Sequence, residues 1–84
     1  MRPKDVLPDH ANQTEINGVL VRKGTVGAFL ANSRLWLSTD TPASIRAELE
    51  RDILESVAAL KALGLFEVLQ VKDERLQQLI APHI

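Results

Sequence analysis

Residues 42–63 read PASIRAELERDILESVAALKAL and form the longest periodic apolar pattern in the chain. At about 100° per residue, six aliphatic side chains fall on one face of a helix and charged side chains take the opposite face. The six are Ile45, Leu49, Ile53, Val57, Leu60 and Leu63. Thr41 is placed to cap the first turn, Pro42 suits the first helical position, and Gly64 can take the left-handed conformation that ends a helix. The stretch predicts one long amphipathic helix with a defined core face.

A β-hairpin is predicted before this helix. The dipeptide Asn17-Gly18 stands between β-branched residues and tolerates the positive φ angles of a two-residue type I′ turn. In that register Ile16 lies opposite Val19 on an apolar face, while Leu20 takes the other face. An isolated hairpin is only marginally stable, so this one needs a third strand and a helical cover.

Three further elements are predicted from caps and periodicity. Thr25 is a plausible N-cap for a helix running to about residue 37, and the short connector that follows favours an antiparallel helix pair. The predicted core row of that helix is Val26, Leu30, Ser33 and Leu37, with Phe29 and Trp36 beside it. Residues 66–71 are rich in β-forming side chains and predict a third strand. Asp73 then caps a short helix that Pro82 stops.

These elements together predict a small α+β domain in the order ββααβα. A β-hairpin and a third strand would be covered by the long central helix and the helix pair. Residues 1–13 lack any periodic pattern and are interpreted as a loose N-terminal arm, with residues 14–84 forming the single domain. A chain of 84 residues is too short for two independent cores.

The composition excludes several classes of function. A net charge of −1 gives no general attraction for nucleic acid or anionic lipid, and an acidic second helix argues against a helix-turn-helix. The chain has no cysteine, which excludes disulfides and thiolate catalysis and suits a reducing cytoplasm. No apolar run reaches the roughly 20 residues that span a bilayer. We expect a bacterial-type cytoplasmic domain without nucleic-acid or membrane partners.

One turn resembles a binding motif. Arg22, Lys23, Gly24 and Thr25 place two cations and a flexible glycine before a helix N-terminus, where free N–H groups can hold an anion. The spacing is not that of a P-loop, and a solvated turn explains the same residues. His10 and His83, the acidic residues and the serines show no metal-ligand or nucleophile spacing. We therefore predict no catalytic residue, no metal and no cofactor.

The leading hypothesis for function is association without catalysis. Apolar side chains outside the predicted core faces suggest a homodimer or a protein-interaction module, and the candidate interface residues are Leu20, Trp36, Leu54 and Ala58. The alternative is an anion or small-molecule binding module that uses the turn at residues 22–25. A third possibility is an enzyme whose site forms at an oligomer interface.

Overall fold

A two-stranded antiparallel hairpin opens the described part of the chain. The computed structural model describes residues 13–16, 18–22 and 24–84. Strand β1 spans Gln13–Ile16 and strand β2 spans Val19–Arg22, with Ile16 opposite Val19 as the turn dipeptide predicts. Gly18 has a φ of 79°, the positive value that a type I′ turn requires. Asn17 and residues 1–12 of the predicted arm lie outside the described residues, and Gln13 belongs to β1.

Helices make up most of the remaining chain. Helix α1 spans Thr25–Leu37, α2 spans Ala43–Leu63, α3 spans Leu65–Val68 and α4 spans Glu74–Ile80, followed by a 3₁₀ turn at Ala81–His83. The predicted α+β class with three strands is therefore wrong, because the molecule is mainly helical and the third strand is absent from the described residues. None of the described helices is long and apolar enough to cross a membrane.

The predicted third strand, residues 66–71, is a helical turn followed by extended chain. Gly64 adopts φ 86° and reverses the chain, so that Leu65 and Phe66 fold back and pack against the core. The Glu67 N–H donates to the Gly64 carbonyl and the Leu69 N–H donates to the Leu65 carbonyl. These local bonds satisfy the backbone without a partner strand, and burial of the two apolar side chains outweighs their β-propensity.

Helix α2 follows the prediction closely and differs at its first turn. Its C-terminal glycine adopts the left-handed conformation, and the Gly64 N–H donates to the carbonyls of Leu60 and Lys61. Pro42 is the N-cap residue, so α2 begins at Ala43, one position later than predicted. The predicted cap by Thr41 is wrong, because the Thr41 Oγ1 hydroxyl donates at 2.6 Å to the carbonyl of Leu35 at the end of α1. That bond fastens the connector between the two helices.

The core lies between α1, α2 and α4. The buried cluster is Phe29, Trp36, Leu49, Ile53, Val57, Leu60, Leu76 and Ile80. Leu49, Ile53, Val57 and Leu60 of the predicted α2 face are buried, whereas the prediction is wrong at the two ends of that face, where Ile45 is 43% and Leu63 is 36% exposed. The other members of the buried cluster belong to α1 and α4. Val21 on β2 is also buried, and β2 contacts α2 beside the main cluster. The side chain of Ile16 lies outside the described residues.

Helix α1 presents a different face to the core from the predicted row. Phe29, Ser33 and Trp36 are buried, whereas Val26 and Leu30 are 43% and 56% exposed. Phe29 and Trp36 are seven residues apart and so share one face over two turns. Aromatic side chains bury more apolar surface than Val or Leu, and this difference decides which face turns inward. Helices α1 and α2 pack antiparallel, as the short connector predicts.

Candidate functional site

A polar groove runs between the hairpin end, α1 and α2. We call it the helix-pair groove, and its volume is about 440 Å³. This volume lies in the lower range of ligand sites, roughly 300 to 1,000 Å³. Its lining residues are Arg22, Gly24, Thr25, Ala28, Asn32, Asp52, Glu55, Ser56 and Ala59. Three residues of the predicted anion turn therefore meet four residues of α2 that sequence reasoning placed elsewhere.

Local structure fixes the turn that forms one end of the groove. Arg22 is the last residue of β2, and Gly24 is the N-cap of α1 with a φ of 90°. The Thr25 hydroxyl donates at 2.7 Å to the Arg22 carbonyl, which holds the turn closed. Thr25 is the first residue of α1 and not its cap, so the predicted capping role is wrong. Lys23 lies outside the described residues.

Small side chains on the facing helices leave the groove open. Ala28 of α1 and Ala59 of α2 both line it, and Ala59 is only 6% exposed. A longer side chain at either position would occupy the space between the helices. Methyl groups of both helices therefore line the groove beside its polar side chains.

The charges in the groove do not favour a simple anion. Asp52 and Glu55 lie one turn apart on α2 and share the groove with Arg22. The side chains of these three residues make no hydrogen bond or ion pair with other described residues. Two carboxylates and one guanidinium give the described lining a net negative charge, which repels phosphate and similar anions. The turn at residues 22–25 predicts a positively charged site for an anion, whereas the described residues that line the groove carry a net negative charge.

The four predicted interface residues fall in different environments. Trp36 is 7% exposed and belongs to the core, so its assignment to a surface patch is wrong. Leu54 is half-buried and packs against the core cluster, while Ala58 is exposed. The side chain of Leu20 lies outside the described residues. The three positions whose side chains the structure describes do not form one exposed apolar surface.

A different stretch carries the most exposed aliphatic side chains. Val68 is 83% exposed and the adjacent Leu69 is 59% exposed. Both belong to residues 65–71, which we call the aliphatic segment, and its half-buried members Leu65, Phe66 and Val71 pack on the core. The sequence signal was present, because apolar side chains occupy both faces of this stretch. That pattern predicts a strand covered on both sides, whereas the structure has a helical turn followed by exposed, extended chain.

The described part of the structure places no cluster of metal-ligand side chains. No group of three or more His, Asp or Glu side chains is placed there to hold a metal ion. His83 is exposed in the 3₁₀ turn, and His10 lies outside the described residues.

Comparison with known proteins finds no matching family model, no matching curated protein and no matching solved structure. Functional assignment therefore depends on the side chains described above.

Proposed function

We propose that this chain is a non-enzymatic cytoplasmic module that associates with a second copy of itself through the aliphatic segment. The observation that carries the proposal is the adjacent pair Val68 and Leu69, at 83% and 59% exposure. Isolated exposed leucines are common, but two neighbouring aliphatic side chains beside further apolar groups favour an interaction surface. The cytoplasmic location is supported by the lack of cysteine.

Unpaired backbone next to the pair supports the same surface. Leu69 has an extended conformation, with φ −119° and ψ 150°. The backbone groups of Gln70 and Val71 form no hydrogen bond with other described residues. Together with α4, these residues line a hollow of about 520 Å³. An extended segment from a second copy can lie here and pair with the open backbone.

Charge at the two ends of the segment favours a two-fold arrangement. Glu67 and Lys72 are exposed on either side of Val68 and Leu69. In a symmetric dimer every contact occurs twice: if Glu67 of one copy contacts Lys72 of the other, then Lys72 of the first copy contacts Glu67 of the second. Antiparallel apposition brings Glu67 of each copy near Lys72 of the other copy, giving two opposite-charge pairs. Parallel apposition would place like charges together, which is unfavourable.

Equilibrium sedimentation tests the proposal. At tens of micromolar, the native chain should show twice the protomer mass of 9.3 kDa. The double variant Val68→Glu with Leu69→Glu should sediment as a protomer, because four charges would enter a symmetric contact. Both side chains face solvent, so the variant should retain the helical circular dichroism of the native chain.

A matched control separates this surface from general surface hydrophobicity. Leu35 is 53% exposed on α1, and Leu35→Glu should leave the dimer intact. A native chain that stays at 9.3 kDa across the concentration range would refute self-association. A dimer that survives the double variant and dissociates in Leu35→Glu would place the contact elsewhere.

A charge exchange tests the orientation. Lys72→Glu alone should raise the dimer dissociation constant, since each two-fold contact would then join two carboxylates. Adding Glu67→Lys to the same chain should return the dissociation constant to that of the native chain, because the paired side chains again have opposite charges. Failure of the exchange to restore association would rule out the antiparallel arrangement.

A further inference from the structure

The helix-pair groove combines methyl groups with charged side chains of both signs. Ala28 and Ala59 line it beside Arg22, Asp52 and Glu55. Its carboxylates, Asp52 and Glu55, stand on α2, whereas the guanidinium of Arg22 comes from the end of β2. Positive and negative groups therefore arise from different elements of the fold. A ligand that complements both must itself carry two charges of opposite sign.

We propose that the helix-pair groove binds a short zwitterionic peptide. The ammonium end would meet Asp52 and Glu55, which lie one helical turn apart and can share one cation. The carboxylate end would meet the Arg22 guanidinium, whose planar fork matches a carboxylate. In this arrangement, every charged side chain of the described lining faces a group of opposite charge on the peptide.

The uncharged lining suits the middle of the same ligand. Asn32 lies in the groove between the two helices, and its amide can both donate to and accept from a peptide bond. Ser56 of α2 adds a hydroxyl on the opposite wall. Small aliphatic side chains of the peptide would lie on Ala28 and Ala59. A simple inorganic anion would use none of these groups and would meet two carboxylates.

Three probes of nearly equal shape separate the charge requirements. Calorimetric titration of the full chain with Ala-Ala, N-acetyl-Ala-Ala and Ala-Ala-amide compares the whole zwitterion with forms that lack one charge. Ala-Ala should bind most tightly, and loss of the ammonium or of the carboxylate should each weaken binding about tenfold, the effect of one charge-assisted contact. Inorganic phosphate serves as the anion probe and should not bind in the groove.

Variants then assign each end of the ligand. Asp52→Asn with Glu55→Gln should remove the preference for Ala-Ala over N-acetyl-Ala-Ala, and Arg22→Gln should remove the preference over Ala-Ala-amide. Glu48→Gln is the matched control, since Glu48 is exposed on α2 outside the groove. This readout is independent of self-association through the aliphatic segment. Equal binding of all three peptides, no detectable binding of Ala-Ala at millimolar concentration, or tighter binding of phosphate would each overturn the proposal.

Discussion

The indole N–H of Trp36 donates a hydrogen bond to Oε1 of Glu50 at 3.0 Å across the α1–α2 interface. The guanidinium carbon of Arg46 lies 5.3 Å from the centre of the same ring, within the range of a cation–π contact. One aromatic side chain near the end of α1 thus joins two consecutive turns of α2. The two contacts fix how the helix pair closes and explain why Trp36 is buried.

Truncation at Glu50 should destabilise the helix pair. Glu50→Ala removes the acceptor and leaves a mostly buried indole N–H without a partner in the described structure, at a cost of about 1 to 3 kcal/mol. Glu50→Gln keeps an amide oxygen at the same place and should lose less. Urea denaturation followed by circular dichroism measures both changes in the free energy of unfolding.

Glu48 provides the control for this prediction. Glu48 is exposed two residues before Glu50 on a different face of α2, and Glu48→Ala should change the free energy of unfolding by less than about 0.5 kcal/mol. Equal losses from Glu48→Ala and Glu50→Ala would show that helix charge, and not the indole contact, sets the effect.

The parts of the fold that depend on local chemistry were predictable from sequence. Asp73 caps α4 as expected, with its Oδ1 accepting from the Leu76 N–H at 3.1 Å. The stop at Gly64 and the reversal at Gly18 also follow from conformations that glycine alone adopts easily. Each of these depends on residues within a few positions of one another.

The errors came from competition between distant groups. The propensity of residues 66–71 favours a strand, yet no third strand is present in the described chain, and burial of Leu65 and Phe66 decides their conformation. Trp36 stands at the end of α1 beside the predicted core row, and its burial depends on packing against α2, where Glu50 lies 14 residues away in sequence. The helix-pair groove also depends on distant residues, since Arg22 of β2 and Asp52 of α2 line one groove only when β2 packs against α2.

Leu60 should be among the most costly positions to truncate. Its side chain is fully buried in the core cluster, and Leu60→Ala should cost about 2 to 5 kcal/mol through lost burial and the cavity left behind. Leu63, on the same helix but 36% exposed, is the control, and Leu63→Ala should cost much less. Urea denaturation at a protein concentration below that of association compares the two. Similar losses would contradict the burial pattern of α2.

Ser33 should be replaceable with a gain in stability. It is only 4% exposed, and its Oγ has no hydrogen-bond partner within the described residues. Burying an unpaired hydroxyl is unfavourable, and alanine has the higher helix propensity. Ser33→Ala should therefore raise the free energy of unfolding by about 0.5 to 1.5 kcal/mol. Ser33→Val adds bulk at the helix contact and should instead destabilise the chain. A loss of stability in Ser33→Ala would mean that the hydroxyl has a partner, such as a buried water.

Two glycine-to-alanine substitutions should have opposite signs. Gly64 has a φ of 86°, and a Cβ there would lie 2.9 Å from Oε2 of Glu67. Gly64→Ala should cost about 1 to 2 kcal/mol, the penalty of a left-handed conformation for an L-residue, while the Glu67 carboxylate can move aside. Gly27 lies within α1, and a Cβ there meets nothing within 4 Å. Gly27→Ala should stabilise by about 0.5 to 1 kcal/mol because alanine loses less backbone entropy on folding. Parallel urea denaturation of the two variants gives the comparison, and a gain of stability in Gly64→Ala would refute the assigned backbone conformation at residue 64.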